Sequence, residues 1–456
     1  MGLTREIRLS HRLRLLVGVL NILGLACLAR FNLPSEMLLA ADGVSYQRSI
    51  AALLNDGPFS NYPGLFFQPS GYPLLIWGVS FFGLFPTSLT VVLLQGSIHV
   101  LSIMFLSKRL EKTGFARVVP FLFLFLMFNP ILCLSAMNCG YESLASSFII
   151  ITVTLLLTNK KCELKELVII TTLQALLILM NTRFIAVAVL VFIYIYSRSY
   201  FKRLRPQVIL LGSVCVLLPI FLLTARNEIA VGVMSPSTNL GVTLNLGACL
   251  KATGAHNIYG EFGVTCEELT GSPSLVIGSD QVAATFFNFT EINTPATVSK
   301  YDTILRNCVI KWYMDNPREL IRLFFNKTVF FFSPFTGSLS TGTFEINNSL
   351  ISSINANVDG LSSNAGQFGT TPIIYATFIL GLAFLFLVGV QRAYRLNFEV
   401  TSLLLALAAS QWLISAVTIG DNRFRIPVIP LITLFAAYGL TVLLEKKSPS
   451  TDAQSK

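Results

Sequence analysis

The sequence predicts an all-α polytopic membrane protein, with about ten transmembrane helices, interfacial helices and a small extracytoplasmic module. Three observations carry that prediction. Of the 456 residues, 53% are hydrophobic and only 12% are charged, about half the charged share of an ordinary soluble domain. The mean hydropathy is +0.68. Apolar runs close to the roughly 20 residues that cross a bilayer recur along the chain. Such a composition excludes an ordinary soluble enzyme, a disordered chain and a nucleic-acid binder. The formal net charge of +10 fits cations sorted by membrane topology better than an acidic partner.

Ten apolar runs bounded by polar residues mark the expected spans: 13–29, 89–106, 118–136, 143–158, 167–180, 184–196, 208–224, 373–390, 400–417 and 426–444. The first reads as an uncleaved signal anchor. With the N-terminus cytoplasmic, a majority of the 33 basic residues fall in short inner loops or tails, among them Arg14, Arg109, Arg117, Lys165, Arg198, Arg392 and Lys446. The C-terminus is then also cytoplasmic. This threading requires that residues 321–335, interrupted by Arg322 and Lys327, lie in the interface as an amphipathic helix and do not cross. Residues 72–85 receive the same reading. The chain therefore divides into an N-terminal transmembrane region (1–224) containing a first outer loop (30–88), an extracytoplasmic module (225–372), and a C-terminal transmembrane region with its tail (373–456).

The expected spans are nearly free of ionisable residues, which transporters and pumps place at mid-membrane to handle cargo. His99, with Gln95 and Gln174 as polar company, is the main exception, and a hydrogen bond to a neighbouring helix accounts for such a residue. Charges gather instead at the outer helix ends. That pattern suits an enzyme at the outer interface whose lipidic substrate enters sideways, and it suits a lipid-linked sugar flippase or other transporter less well; a non-catalytic scaffold presenting the large outer loop is the remaining alternative.

Three outer segments hold the candidate residues. Asp42 stands just before an amphipathic stretch, where it serves either as a helix cap or as a catalytic base. Glu142 opens a span, a position the helix dipole also favours for a carboxylate. Arg423 and Arg425 sit on a tight outer turn, suited to a phosphate through the guanidinium fork and equally to lipid headgroups.

The stretches DGVSYQRSIAALLNDGPFS (42–60) and PSGYPLLI (69–76) resemble the first outer loop of the GT-C superfamily of integral membrane glycosyltransferases. More narrowly they resemble its bacterial branch, similar to dolichyl-phosphate-mannose protein mannosyltransferases and the lipid A aminoarabinose transferase. The stretch from Asn129–Pro130 to YESL (141–144), the segment around Arg226–Asn227 and DNRFRIPVIPLITLFAAYGL (421–440) extend the likeness over most of residues 13–445. Each motif is loose, and the ordered set carries the resemblance.

The resemblance implies a polyprenyl-phosphate-linked sugar as donor and a glycan, lipid or protein hydroxyl as acceptor. It implies Asp42 as general base and Glu142 as a supporting or acceptor-side carboxylate. Arg423, with Arg425 or Arg183, would hold the donor phosphate, and Tyr46 and Tyr72 are expected to line the substrate site. Gly43 stands where the family often has a second acidic residue, so no metal or other cofactor is indicated. A bacterial plasma membrane is the expected location. The residue types fit independently, since the acceptor hydroxyl must lose a proton and the phosphate leaving group needs only fixed positive charge.

The chain has eight Cys and no zinc spacing. Three of them, Cys249, Cys266 and Cys308, fall on the oxidising side. The spacing of the first two suggests a Cys249–Cys266 disulfide with Cys308 left free or buried, against the alternative of three unpaired thiols.

Overall fold

A computed structural model describes residues 10–32, 42–82, 88–158, 163–198, 205–248, 294–332, 370–418 and 422–446. Among these residues the fold is all-helical, without a strand. The helices are α1 (His11–Asn32), α2 (Asp42–Asp56), α3 (Gly64–Phe67), α4 (Gly71–Val79), α5 (Ser88–Leu110), α6 (Val119–Met127), α7 (Pro130–Met137), α8 (Glu142–Thr158) and α9 (Leu164–Met180). They continue as α10 (Ile185–Ser197), α11 (Arg205–Val231), α12 (Leu240–Leu246), α13 (Pro295–Asp315), α14 (Pro317–Phe332), α15 (Thr370–Leu396), α16 (Phe398–Val417) and α17 (Ile429–Lys446).

Nine of the ten expected runs each fall on one helix, two of them with a short 3₁₀ lead-in, and the run 118–136 is split between α6 and α7. By length and composition, four helical stretches of the described residues can cross a membrane: Leu89–Leu110, Arg205–Val231, Phe398–Val417 and Arg423–Glu445. A fifth is added if Ala116–Met127 and Pro130–Met137, bent by 50° to each other, form one broken span. The break has a local cause. Pro130 offers no N–H and clashes with a continuing helix, while the Asn129 side chain caps the new one, accepting from Ile131 N at 3.0 Å and Leu132 N at 3.3 Å. At 17 residues α8 rises about 26 Å, short of the roughly 30 Å hydrocarbon core.

The apolar faces that the fold leaves open are long. On α11, Ile209, Leu210, Val214, Leu217, Leu218, Phe221 and Leu222 are all exposed, as befits a helix against lipid. Helix–helix contact elsewhere uses small residues. An added Cβ at Gly389 on α15 would fall 1.9 Å from the Phe435 carbonyl oxygen, and one at Gly439 on α17 would fall 2.1 Å from that of Leu385. The two backbones touch because neither position has a side chain.

The polar contacts separate the two ends of the bundle. Arg14 pairs with Glu111, Arg117 with Glu445 at 3.1 Å, and Arg198 with Glu399 at 2.6 Å. All six residues belong to segments that the charge pattern puts on the cytoplasmic side. The candidate residues gather at the other end.

A second, small core forms there from Phe66, Val233, Val242, Val298 and Leu305. Helix α12 lacks a side-chain cap of its own; instead the Asp302 carboxylate, from α13, accepts from Gly241 N at 2.7 Å and Val242 N at 3.2 Å. Arg226, buried near the end of α11, donates to the carbonyls of Pro58 (3.2 Å), Ser60 and Leu65 (3.3 Å). One guanidinium thus ties the loop after α2 to the end of a spanning helix. Helix α14 turns Leu323, Lys327 and Phe331 inward and leaves Ile321, Phe325, Val329 and Phe332 exposed, so its outer face is apolar.

Cys308 is disulfide-bonded, which corrects the expectation that it stays unpaired. Its partner and the expected pair Cys249 and Cys266 lie outside the described residues.

Candidate active site

Tyr46 and Tyr72 are both buried and meet edge to face, with ring centroids 5.0 Å apart. Tyr46 also packs edge-on against Tyr141 at 6.2 Å, and Tyr141 against Phe184 at 6.2 Å. Four segments that are far apart in sequence, on α2, α4, the start of α8 and the turn after α9, therefore share one aromatic cluster.

Several contacts hold these rings in place. The start of α4 presses on the end of α9, since a Cβ at Gly71 would sit 2.1 Å from the Leu179 carbonyl oxygen. Tyr72 donates its hydroxyl to Gln95 Oε1 at 2.8 Å. Gln95 Nε2 in turn donates to the carbonyls of Ala136 (3.2 Å) and Asn138 (2.7 Å). Gln95 is thus the strut between α5 and the turn that delivers Tyr141 and Glu142. His99, one turn further along α5, is fully buried beside the Leu126 carbonyl, without the geometry of a full hydrogen bond. Gln174 donates to Thr152 Oγ1 at 3.0 Å, which joins α8 to α9.

Glu142 is 6% exposed as the first residue of α8, and its charge bears on both Tyr72 and Cys139. Asp42 opens α2; its side chain lies outside the described residues. Along α2 it stands four residues before Tyr46, hence on the same helical face.

Arg183 completes the cluster. Its guanidinium carbon lies 5.2 Å from the Tyr141 ring centroid, 5.0 Å from that of Phe184 and 4.1 Å from that of Phe424. Cation–π contact holds the group in place but does not occupy its N–H donors. Nε and Nη2 are buried and have no hydrogen-bond partner. Buried donors left without an acceptor are costly unless an anion completes them. The backbone that carries it is fixed by Asn181, which accepts from Arg183 N at 3.1 Å and donates to the Tyr141 hydroxyl at 3.0 Å.

The turn Asn422–Val428 supplies Phe424 to this cage and carries two arginines. Arg425 is buried and donates to the Phe331 carbonyl at 3.1 Å. Arg423 is partly exposed beside Phe424. Tyr46, Tyr72, Glu142 and Arg183 are thus brought together, with Arg423 next in sequence to a ring of the cage.

Sequence reasoning missed Gln95 as a strut, and Tyr141, Phe184 and Phe424 as a cage. Each of the three rings directly neighbours a residue that had been singled out. Among the described residues no group of three metal-ligand side chains gathers.

No protein-family profile matches the chain, and no curated protein matches it in sequence. Among solved structures, the archaeal oligosaccharyltransferase AglB from Archaeoglobus fulgidus, in complex with an inhibitory peptide and a dolichol-phosphate, matches with a TM-score of 0.44 and 14% identity, covering 95% of this chain and 50% of that one. The apo form of the Archaeoglobus fulgidus oligosaccharyltransferase matches with a TM-score of 0.44 and 13% identity, covering 95% and 51%. The chain spans about half the length of these neighbours.

Proposed function

We propose that the protein is a membrane glycosyltransferase of the GT-C kind. It moves a sugar from a polyprenyl-phosphate donor to an acceptor hydroxyl on the extracytoplasmic side. The observation that carries this reading is Arg183, whose buried Nε and Nη2 have no partner and which sits in an aromatic cluster shared with Glu142, Tyr46 and Tyr72.

In the proposed step Asp42 takes the proton from the acceptor hydroxyl as its oxygen bonds to the anomeric carbon. The bond from that carbon to the phosphate oxygen breaks, and the electron pair leaves with the polyprenyl phosphate. Backside attack inverts the anomeric centre. Arg183, with Arg423 beside the cage, meets the negative charge that grows on the phosphate. Tyr46 and Tyr72, buried against each other, brace the wall of the site and do not face the sugar directly, and Glu142 lies on the acceptor side. The full threading of ten spans with both termini cytoplasmic belongs to the same proposal, as does location in a bacterial plasma membrane. It puts the three ion pairs inside and the aromatic cluster outside.

Mass spectrometry of envelope glycans and glycolipids tests the reading. Cells lacking the protein, and cells carrying Asp42→Asn at normal membrane levels, should both lose the same sugar from one surface molecule. A surface profile identical in all strains would refute it.

A further inference from the structure

Two backbone carbonyls next to the candidate site, one at the C-terminus of α16 and one on α14, are each met by a cation from the other's segment. Helix α16 ends at Thr418, whose carbonyl accepts from Lys327 Nζ. In the last described turn of α14, the Phe331 carbonyl accepts from Arg425 Nη1 at 3.1 Å. Lys327 is 1% exposed and lies 3.4 Å from the Tyr313 hydroxyl. The flank of α14 beside that face receives Trp412, whose Nε1 donates to Thr328 Oγ1 at 3.1 Å and whose ring packs near Phe324 and Phe332.

Packing alone does not account for an ammonium here. An apolar side chain of similar length would be buried at lower cost. The carbonyls at a helix C-terminus do favour a cation, and the two ties bracket a functional stretch. Between Thr418 and Arg425 stand Arg423 and Phe424, and the Phe424 ring lies 4.1 Å from the Arg183 guanidinium carbon.

We propose that Lys327 is a positioning residue. By holding the Thr418 carbonyl while Arg425 holds that of Phe331, it sets where Phe424 and Arg423 stand relative to Arg183. Helix α14 then governs the geometry of the anion site through a reciprocal pair of cation–carbonyl ties. This rests on the reading of Arg183 as the phosphate-binding cation.

The test uses the full-length protein in lipid nanodiscs, with Lys327→Met and Lys327→Arg compared with wild type. Two quantities are measured: amide hydrogen exchange over residues 422–428, with α5 as internal control, and affinity for polyprenyl phosphate. In Lys327→Met, exchange over 422–428 should rise about tenfold and affinity fall about tenfold, the loss of roughly one charge-assisted hydrogen bond. Lys327→Arg, which keeps the charge and donors, should restore most of both. If Lys327→Met does not fold, Lys327→Gln, with one neutral donor, should show intermediate changes. Wild-type exchange and affinity in the Met or Gln variant would overturn the proposal, as would equal losses in the Met and Arg variants. Faster exchange with no polyprenyl-phosphate binding even by wild type would uphold the cap and overturn the phosphate reading of Arg183.

Discussion

The Arg183 guanidinium lies 4.1 Å from the centre of the Phe424 ring, although 241 residues separate the two in sequence. That contact ties the turn after α9 to the turn before α17, and it leaves Nε and Nη2 of Arg183 without protein partners. Replacing Arg183 by Ala should weaken polyprenyl-phosphate binding to the purified protein by tenfold or more, the range expected for a hydrogen bond to a charged group. Arg183→Lys should recover only part, because a compact ammonium lacks the planar fork and stacks less well. Titration with the lipid reads both, and unchanged affinity in Arg183→Ala removes the residue from the site.

The crossing of α15 and α17 predicts opposite outcomes for two glycines on one helix. Gly389→Ala puts a methyl 1.9 Å from the Phe435 carbonyl oxygen, so the helices must part and thermal stability should fall. Gly381→Ala meets nothing within 4 Å and should leave the melting temperature unchanged or raise it, by up to about 1 kcal/mol of helix propensity. Melting curves in detergent compare them.

The cap that Asp302 makes on α12 has a pH signature. Burial raises its carboxyl above the usual 3.8, outweighing the amides of Val242 and Gly241 and the charge of Arg306, which pull it down. The folded protein therefore holds that proton to higher pH than the unfolded chain does. The resulting stability is present at low pH and is lost as pH rises through the folded value. Asp302→Asn keeps the acceptor without the charge. It should be at least as stable as wild type at pH 7, with the difference shrinking toward pH 4. Asp302→Ala should cost about 1 kcal/mol, as loss of a helix cap does. Melting temperatures across pH 4–7 decide the sign.

Much of the fold is legible in the sequence because the bilayer imposes length and hydropathy on its spans. Nine of the ten apolar runs each fall on one helix and the tenth, 118–136, on a bent pair, although only four or five stretches of the described residues are long and apolar enough to cross; the charges Arg14, Arg117 and Arg198 mark one end. The 50° bend at Asn129–Pro130 is also written locally, in a proline after a capping residue. The site is legible only as separate residues. Tyr46, Tyr72, Glu142 and Arg183 each stand in a recognisable stretch, but that Tyr141 touches Tyr46 while Arg183 stacks on Phe424 depends on helix packing that no local pattern encodes. Arg425 shows the opposite limit: an arginine on an outer turn suits a phosphate by its chemistry, yet the fold turns it toward the Phe331 carbonyl.

The cysteines yield a further prediction. Cys27, Cys133, Cys139 and Cys215 are free thiols, whereas Cys308 is bridged. Tyr313, on the same helix as Cys308, donates to the Gly247 carbonyl at 3.4 Å, which brings that helix beside the chain just ahead of Cys249. Peptide mapping without reductant should find Cys308 joined to Cys249. A Cys249–Cys266 peptide pair with Cys308 alkylated would contradict it.

The central claim is that the outer cluster transfers a sugar with Asp42 as base. Its most direct test is to measure turnover and polyprenyl-phosphate affinity side by side for wild type and Asp42→Asn in purified form. The account predicts turnover lower by about 10²–10⁴-fold in the variant, with lipid affinity within twofold of wild type. Undiminished sugar transfer by Asp42→Asn would contradict it.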